Sequence, residues 1–309
     1  MIVIKAKRIS EKGIALLAVM FALMILLFVA TAMWESAQFG WDENSLERQR
    51  FIARQLAESG VALAMHPDVE NGDPILHQEY PDGRKFDVIV GTEGGRILIN
   101  AIGEDVIADT VRELFILWGL DATQAAIVVE SLADWIDSDS EVKTNGAEND
   151  YYTSQGFPAY PSNASLVSIE QMLLAKGMAE VAKIKPDWRR YFTIYGDGLI
   201  DLNQAPADIL EALFQSSADA AANLVATRKG SDNEDGTIDD YVIAEMDEVS
   251  TLLGVSSEGM TRVEEWVTLE NTVKRIESRA VVGDFRYSLV VLTETGGADE
   301  AVLARYPEK

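Results

Sequence analysis

The chain has 309 residues, enough for two modest domains or for one domain carrying a large insertion. Its 51 acidic side chains against 26 basic ones leave a net charge of −25, which repels nucleic-acid phosphates and the anionic face of a membrane and suits hard cations or basic partners. With no cysteine and only two histidines, disulfides and thiolate metal sites are excluded and histidine catalysis or zinc chemistry has almost no material.

In chain order, a basic leader comes first: residues 1–13 hold Lys5, Lys7, Arg8 and Lys12 and end on Gly13. The run Ile14 to Trp34 contains one polar residue, Thr31. As a helix rising about 1.5 Å per residue it spans a hydrocarbon core of roughly 30 Å. A cleaved secretory signal, with Ala30-Thr31-Ala32 as its small-residue cut site, is the alternative, but signal cores run to about 7–15 residues and this run is longer. No proline follows before Pro67. Over residues 35–66, Phe39, Phe51, Ile52, Leu56, Val61 and Leu63 interleave with Glu47, Arg48, Arg50, Arg54 and Glu58, the pattern of an amphipathic extension. The simplest account is one long helix, half in lipid and half outside.

Residues 67–104 are rich in turns. Phe86, Val88 and Val90 alternate, and a Gly-rich turn separates them from Ile97-Leu98-Ile99, which predicts a hairpin. From 105 to 265 the pattern becomes helical. Val111, Leu114, Phe115 and Trp118 recur at helical spacing before a stop at Gly119; Asp121 is placed to cap the next helix; Ser168 to Gln171 reads as a capping box; Pro206 opens another helix. "GRILIN" (95–100) and "GLIDLN" (198–203) look like a short internal repeat, each opening a helical segment. Strand-like runs return over 266–309 in "RAVVGDFRYSLVVLTE" and "AVLARY", so the sheet broken before the helices is resumed after them.

The densest chemistry lies in "SLADWIDSDSEVKTNGAENDYY", residues 131–152. Asp137, Asp139 and Glu141 alternate, and Glu148 and Asp150 follow closely enough to close a shell. Carboxylates so crowded repel one another unless a hard cation, calcium before magnesium, accepts their oxygens. The loop is not an EF-hand, because the sixth position from Asp137 is Val142 rather than glycine. The other reading is a hydrated acidic loop in which Asp134 and Asp137 cap helix ends. A second acidic loop, 230–241, puts Asn233, Asp235, Gly236 and Ile238 at EF-hand positions, but Ser231 and Val242 break the pattern, which leaves either a weak cation site or a solvated loop. His66 and His77 read as surface residues, and Trp118, Trp135 and Trp266 as core anchors. No phosphate-binding loop, dinucleotide fingerprint, zincin or hydrolase-elbow motif is present, so the sequence does not read as an enzyme.

A basic leader ending in Gly13, followed at once by an apolar helix that runs into an amphipathic one, resembles the class III signal of type IV pilins and pseudopilins. The resemblance implies that a prepilin peptidase cuts after Gly13 and methylates Ile14, leaving a mature chain at about −28. Most pilins carry glutamate at the fifth mature position; here that position is Ala18, a departure that is similar to the minor pseudopilin K family of type II secretion. The stretch D-W-I-D-x-D … G-A-E-x-x-Y-Y resembles the same family. The fold so implied is α+β: a long N-terminal transmembrane and amphipathic helix packed on an antiparallel pseudopilin sheet, interrupted by a large inserted α-helical domain of SAM-like or helix-hairpin-helix-like kind. The function implied is that of a minor pseudopilin at the tip of the pseudopilus, in the inner membrane with its C-terminal domain in the periplasm. Its partners would be minor pseudopilins I and J and, beyond them, secreted proteins, with no nucleic acid, since the helical segment is acidic where DNA-gripping helix-hairpin-helix units are basic. A single-span, membrane-anchored binding or sensor protein is the alternative.

Overall fold

The computed structural model describes residues 11–66, 68–69, 72–235, 237–294 and 301–308, with the backbone alone for 11–14, 35–45 and 308. The expected leader lies outside the described residues except for its last turn. Helix α1 (Glu11–Ala64) runs unbroken for 54 residues, as the absence of proline and the continuous helical pattern require. Its segment Ala15–Trp34 has a mean hydropathy of 2.8 and is wholly exposed, long and apolar enough to cross a membrane.

The second half of α1 lies on a sheet. Ala53, Ala57, Val61 and Ala64 recur at intervals of four and three and are buried. Because they are small, the helix axis comes close to the strands, and Gly60 closes the distance further: a Cβ there would stand 2.7 Å from Val88 Cγ2. The sheet is antiparallel throughout and five-stranded, in the order β1 (His77–Glu79), β2 (Lys85–Thr92), β7 (Val273–Val282), β8 (Phe285–Glu294), β9 (Ala301–Glu308). Period-two alternation puts Phe86, Val88, Ile276, Ala280, Leu289 and Val291 on the α1 side. Each large member of that face contributes roughly 1.5–3 kcal/mol by leaving water. At the helix end, Lys274 Nζ donates to the carbonyl of Ala64 at 3.0 Å, a cation on an otherwise orphaned C-terminal acceptor. Arg305 of β9 pairs with Glu58 of α1, fastening the last strand to the helix.

Between β2 and β7 the described residues form four short strands and eight α-helices. The strands are β3 (Ile97–Leu98), β4 (Phe192–Thr193), β5 (Ile200–Asp201) and β6 (Val267–Thr268). The helices are α2 (Asp105–Leu117), α3 (Ala122–Ile136), α4 (Asn149–Ser154), α5 (Met178–Ile184), α6 (Ala207–Phe214), α7 (Ala218–Arg228), α8 (Met246–Leu253) and α9 (Ser257–Val263). They share one apolar core running from Ile97 to Val267, with Phe115, Trp135, Trp188 and Phe192 fully buried in it. The local signals behave as read: Gly119 has φ +109° just past α2, the Asp121 carboxylate accepts from the amides of Thr123 and Gln124, and Ser168 and Gln171 form a capping box.

The predicted hairpin is a correction. Residues 86–90 do not pair with 97–99; β2 pairs with β1 and β7, and Ile97–Leu98 runs parallel to Phe192–Thr193. Gly94 and Gly95 do not reverse the chain. They are buried where it threads between packed segments, and a Cβ on Gly95 would stand 2.7 Å from the carbonyl oxygen of Gln204. Beside them Glu93, also buried, pairs with Arg275 at 3.1 Å, and Arg275 meets the Tyr306 hydroxyl at 3.0 Å, so the chain leaves the sheet through a buried ionic knot. Both halves of the short repeat form parallel pairs, β3 with β4 and β5 with β6.

Candidate functional site

The end of α3 and the loop that follows bury two carboxylates, Asp134 and Glu148. Glu130 and Asp134 are four residues apart, so the helix presents both on one face. Glu130 receives the Asn145 amide at 2.6 Å and its side-chain nitrogen at 3.0 Å. Asp134, fully buried, accepts from the amides of Lys143 at 3.2 Å and Ala147 at 2.9 Å, so one carboxylate draws the loop into a ring around itself. Gly146 is required by that approach: a Cβ on it would stand 2.8 Å from Asp134 Cγ. Burial raises the Asp134 pKa against the pull of those amides and of Lys143.

Lys143 Nζ lies 2.7 Å from Asp137 Oδ2 and 3.4 Å from Asp134 Oδ1. Burial opposes its charge, but the two aspartates outweigh this and raise its pKa. Glu148 is the anomaly. It is 7% exposed, and neither carboxylate oxygen has a hydrogen-bond partner among the described residues; the same holds for the buried Asp137 Oδ1. Burial first, and then the charges of Asp134 and Asp137, push the Glu148 pKa up. Behind it, Tyr152 packs edge-on against Trp135 at 5.3 Å between ring centres, and burial pushes its phenol up to about 12.

Of the five carboxylates singled out from sequence, Asp137 and Glu148 are thus brought to one buried place beside Asp134. Asp139, Glu141 and Asp150 stand at the surface, where the Asp139 carboxylate accepts from the Glu141 amide at 2.8 Å. Among the described residues no three His, Asp or Glu side chains are close enough together to hold a metal ion. The cluster thus holds three acceptor oxygens without a hydrogen-bond partner, from two carboxylates, beside one ammonium. Asp134, Glu130 and Lys143 were not singled out from sequence as members of the site; the spacing of the two acids on α3 was the available signal.

The second acidic loop closes on itself. Asp239 accepts from the Ser231 amide at 2.7 Å and hydroxyl at 2.6 Å and from the Thr237 hydroxyl at 2.9 Å, bonds that hold its pKa far below the ordinary carboxylate value. Gly236 lies outside the described residues. In the apolar half of α1, Ala18 sits exposed, and of Gly13 and Ile14 only the helical backbone is described.

Comparison with known proteins bears on these features. Residues 100–187, which hold α2 through α5 and the whole acidic loop, match the model of type II secretion system protein K. The chain is 35% identical over 71 residues to the type II secretion system protein K of Dickeya chrysanthemi, covering 23% of this chain and 19% of that one. It is 25% identical over 190 residues to that of Klebsiella pneumoniae, covering 54% and 58%. The chain therefore spans less than two thirds of the length of these curated relatives. Its fold matches the crystal structure of the GspK-GspI-GspJ complex from the enterotoxigenic Escherichia coli type 2 secretion system, with a TM-score of 0.60 at 17% identity over 87% of this chain and 98% of that one. Over residues 100–187 the chain is thus similar to the type II secretion system protein K family, and its mixed helix-and-sheet fold with one N-terminal apolar helix is like that of the solved neighbour.

Proposed function

We propose that this chain is a minor pseudopilin at the tip of a type II secretion pseudopilus, taking part in its initiation and in the export of folded proteins across the outer membrane. The observation that carries this reading is the protein K match over residues 100–187 in a chain whose α1 has an exposed apolar half and a half packed on a sheet. In this reading the apolar half anchors the protein once in the inner membrane and the acidic remainder lies in the periplasm. A prepilin peptidase cuts after Gly13 and methylates Ile14. The helical segment between β2 and β7 is a SAM-like or helix-hairpin-helix-like unit inserted into the pseudopilin sheet. The solved neighbour is a complex with GspI and GspJ. Minor pseudopilins I and J are accordingly the partners proposed here, with secreted proteins beyond them and no catalytic role.

Calcium is part of the same proposal. Asp137 and Glu148 would supply the buried oxygens, and Asp139, Glu141 and Asp150 the outer ones. A bound divalent cation would offset the mutual repulsion of carboxylates beside which Lys143 places a single ammonium.

The test is N-terminal analysis of the membrane-bound protein together with co-purification. A mature chain beginning at methylated Ile14, and recovery with coexpressed I and J, is the expected result. Changing Gly13 to a bulky residue should leave the leader attached. A retained Met1 would instead fit the single-span sensor, and a start at Met33 the secretory signal.

A further inference from the structure

The last strand, β9, forms an edge of the sheet and pairs with β8 alone. Most of its side chains are exposed, and only Ala304 and Tyr306 are half-buried. An edge strand with so little buried surface is held by what its two faces touch. Strand alternation turns neighbouring residues to opposite faces, and here Arg305 and Tyr306 meet different parts of the molecule.

On the α1 side, Arg305 lies opposite Val291 and pairs with Glu58 of α1, which also stands 3.8 Å from Arg54 on its own helix. On the other side, Tyr306 lies opposite Val290, and its hydroxyl oxygen accepts from Arg275 Nη1 at 3.0 Å. The same nitrogen donates to Glu93 at 3.1 Å, and both members of that pair are buried. Glu93 is the first residue after β2, where the chain turns toward the helical segment. Beside this knot Val273, Val290 and Leu292 make a small core of their own, against which Ala304 and Tyr306 of β9 pack together with Tyr195. Tyr195 belongs to the helical segment: it follows β4, whose Phe192 is fully buried in the main core, and its amide donates to Thr193 Oγ1 at 3.1 Å. One strand therefore meets α1 through one residue and the helical segment through the next.

We propose that β9 is a strap that couples α1 to the helical segment, so that the seat of Arg305 on Glu58 sets how firmly Tyr306 holds Arg275, Glu93 and Tyr195. A shift of α1 against the sheet reaches the helical segment through adjacent residues of one strand, with no repacking of either large core. The two ends of the strap differ in strength. The pair with α1 is partly exposed and weak, whereas the contact with the knot is half-buried, so the α1 end is the one that lets go first. The strap is independent of the acidic loop and of the secretion reading.

The test is hydrogen exchange read by mass spectrometry on the full chain in detergent micelles, following peptides that cover residues 192–196 and 301–307. Arg305→Ala should speed exchange in both, by about two- to fivefold in 192–196, the size of a partly exposed ion pair. Glu58→Ala should do the same, and the double variant no more than either alone, because both break one contact. Tyr306→Phe keeps the ring and removes one bond of the knot; it should speed exchange in 192–196 with the α1 pair still in place. Lys183→Ala, which removes an exposed pair with Glu180 on α5, should change neither peptide. Arg305, Glu58 and Lys183 all reach the surface, so their variants spare the cores. Faster exchange in 301–307 with 192–196 unchanged, additive effects of Arg305→Ala and Glu58→Ala, a like effect of Lys183→Ala, or equal acceleration in α3 would each overturn the proposal.

Discussion

Asn203 and Ile243 are joined by a reciprocal pair of hydrogen bonds: the Asn203 side chain donates to the Ile243 carbonyl at 3.0 Å and accepts from its amide at 2.9 Å. Asn100 holds Leu166 in the same way, at 3.1 and 2.8 Å. These two asparagines end the two copies of the short repeat. Each copy is a brief parallel strand followed by a helix, and α2 and α6, the helices they lead into, pack on one another. An amide offers a donor and an acceptor at once, which is what an isolated residue of irregular chain needs when it passes through a protein interior.

The first prediction follows from that geometry. Asn203 also donates to the Leu269 carbonyl at 3.0 Å, so Asn203→Ala strands three backbone groups and Asn100→Ala two. At about 1 kcal/mol or more per stranded group, losses of about 3 and about 2 kcal/mol are expected in urea unfolding. Equal or negligible losses would show that water replaces the clasps.

These examples also mark what the chain discloses by itself. Caps at Asp121, Ser168 and Gly119 were legible because their partners lie within four residues. The alternation of Phe86, Val88 and Val90 disclosed a strand, but periodicity names no partner, and the partner, β7, begins over 180 residues later. The repeat was visible, while the role of its asparagines was not, since Leu166 and Ile243 lie 66 and 40 residues away. The acidic loop was legible as a composition. Its hub was not, because Asp134 earns that place through burial and two distant amides rather than through any motif.

A second prediction concerns the seat of α1. A Cβ on Gly60 would press on Val88, on Ser278 and on Phe86, the last at 3.2 Å. Gly60→Leu should force the helix from the sheet and cost about 1–3 kcal/mol as overpacking. Gly60→Ala should be partly rescued by Ser278→Gly, and a double-mutant cycle on thermal unfolding would measure the coupling. Additive losses would mean that the helix and sheet do not meet as described.

The third lies in the apolar half of α1. Ala18 is exposed on the span Ala15–Trp34, so with that span in a bilayer a glutamate there meets lipid unless a neighbouring subunit provides a cation. If the chain ends the filament, Ala18→Glu should lower insertion or assembly, with a cost of roughly 2–4 kcal/mol on insertion scales. Assembly into pseudopili, scored by shearing and by recovery with the other subunits, should fall. Improved assembly would sink the tip assignment.

The last prediction separates a cation site from a hydrated loop by a change of sign. Burial, Asp134 and Asp137 all disfavour a charge on Glu148 and raise its pKa. A carboxyl whose folded-state pKa is raised holds its proton more tightly in the native state, so its contribution is full at low pH and is lost as pH rises from its ordinary value through the raised one. Without a divalent cation, therefore, Glu148→Gln should stabilise the protein at pH 7. With calcium at a hundredfold excess over its dissociation constant, the parent should gain about 2.7 kcal/mol and the variant almost none, so the order of melting temperatures should invert. Asp137→Ala with Glu148→Ala should remove the calcium response altogether. Lys143→Met should strengthen it, because the ammonium 2.7 Å from Asp137 Oδ2 competes for the same oxygen. Melting curves that are the same in calcium and in chelator for the parent chain would leave the loop as a fold held together by Asp134 and Lys143, with no place for a metal.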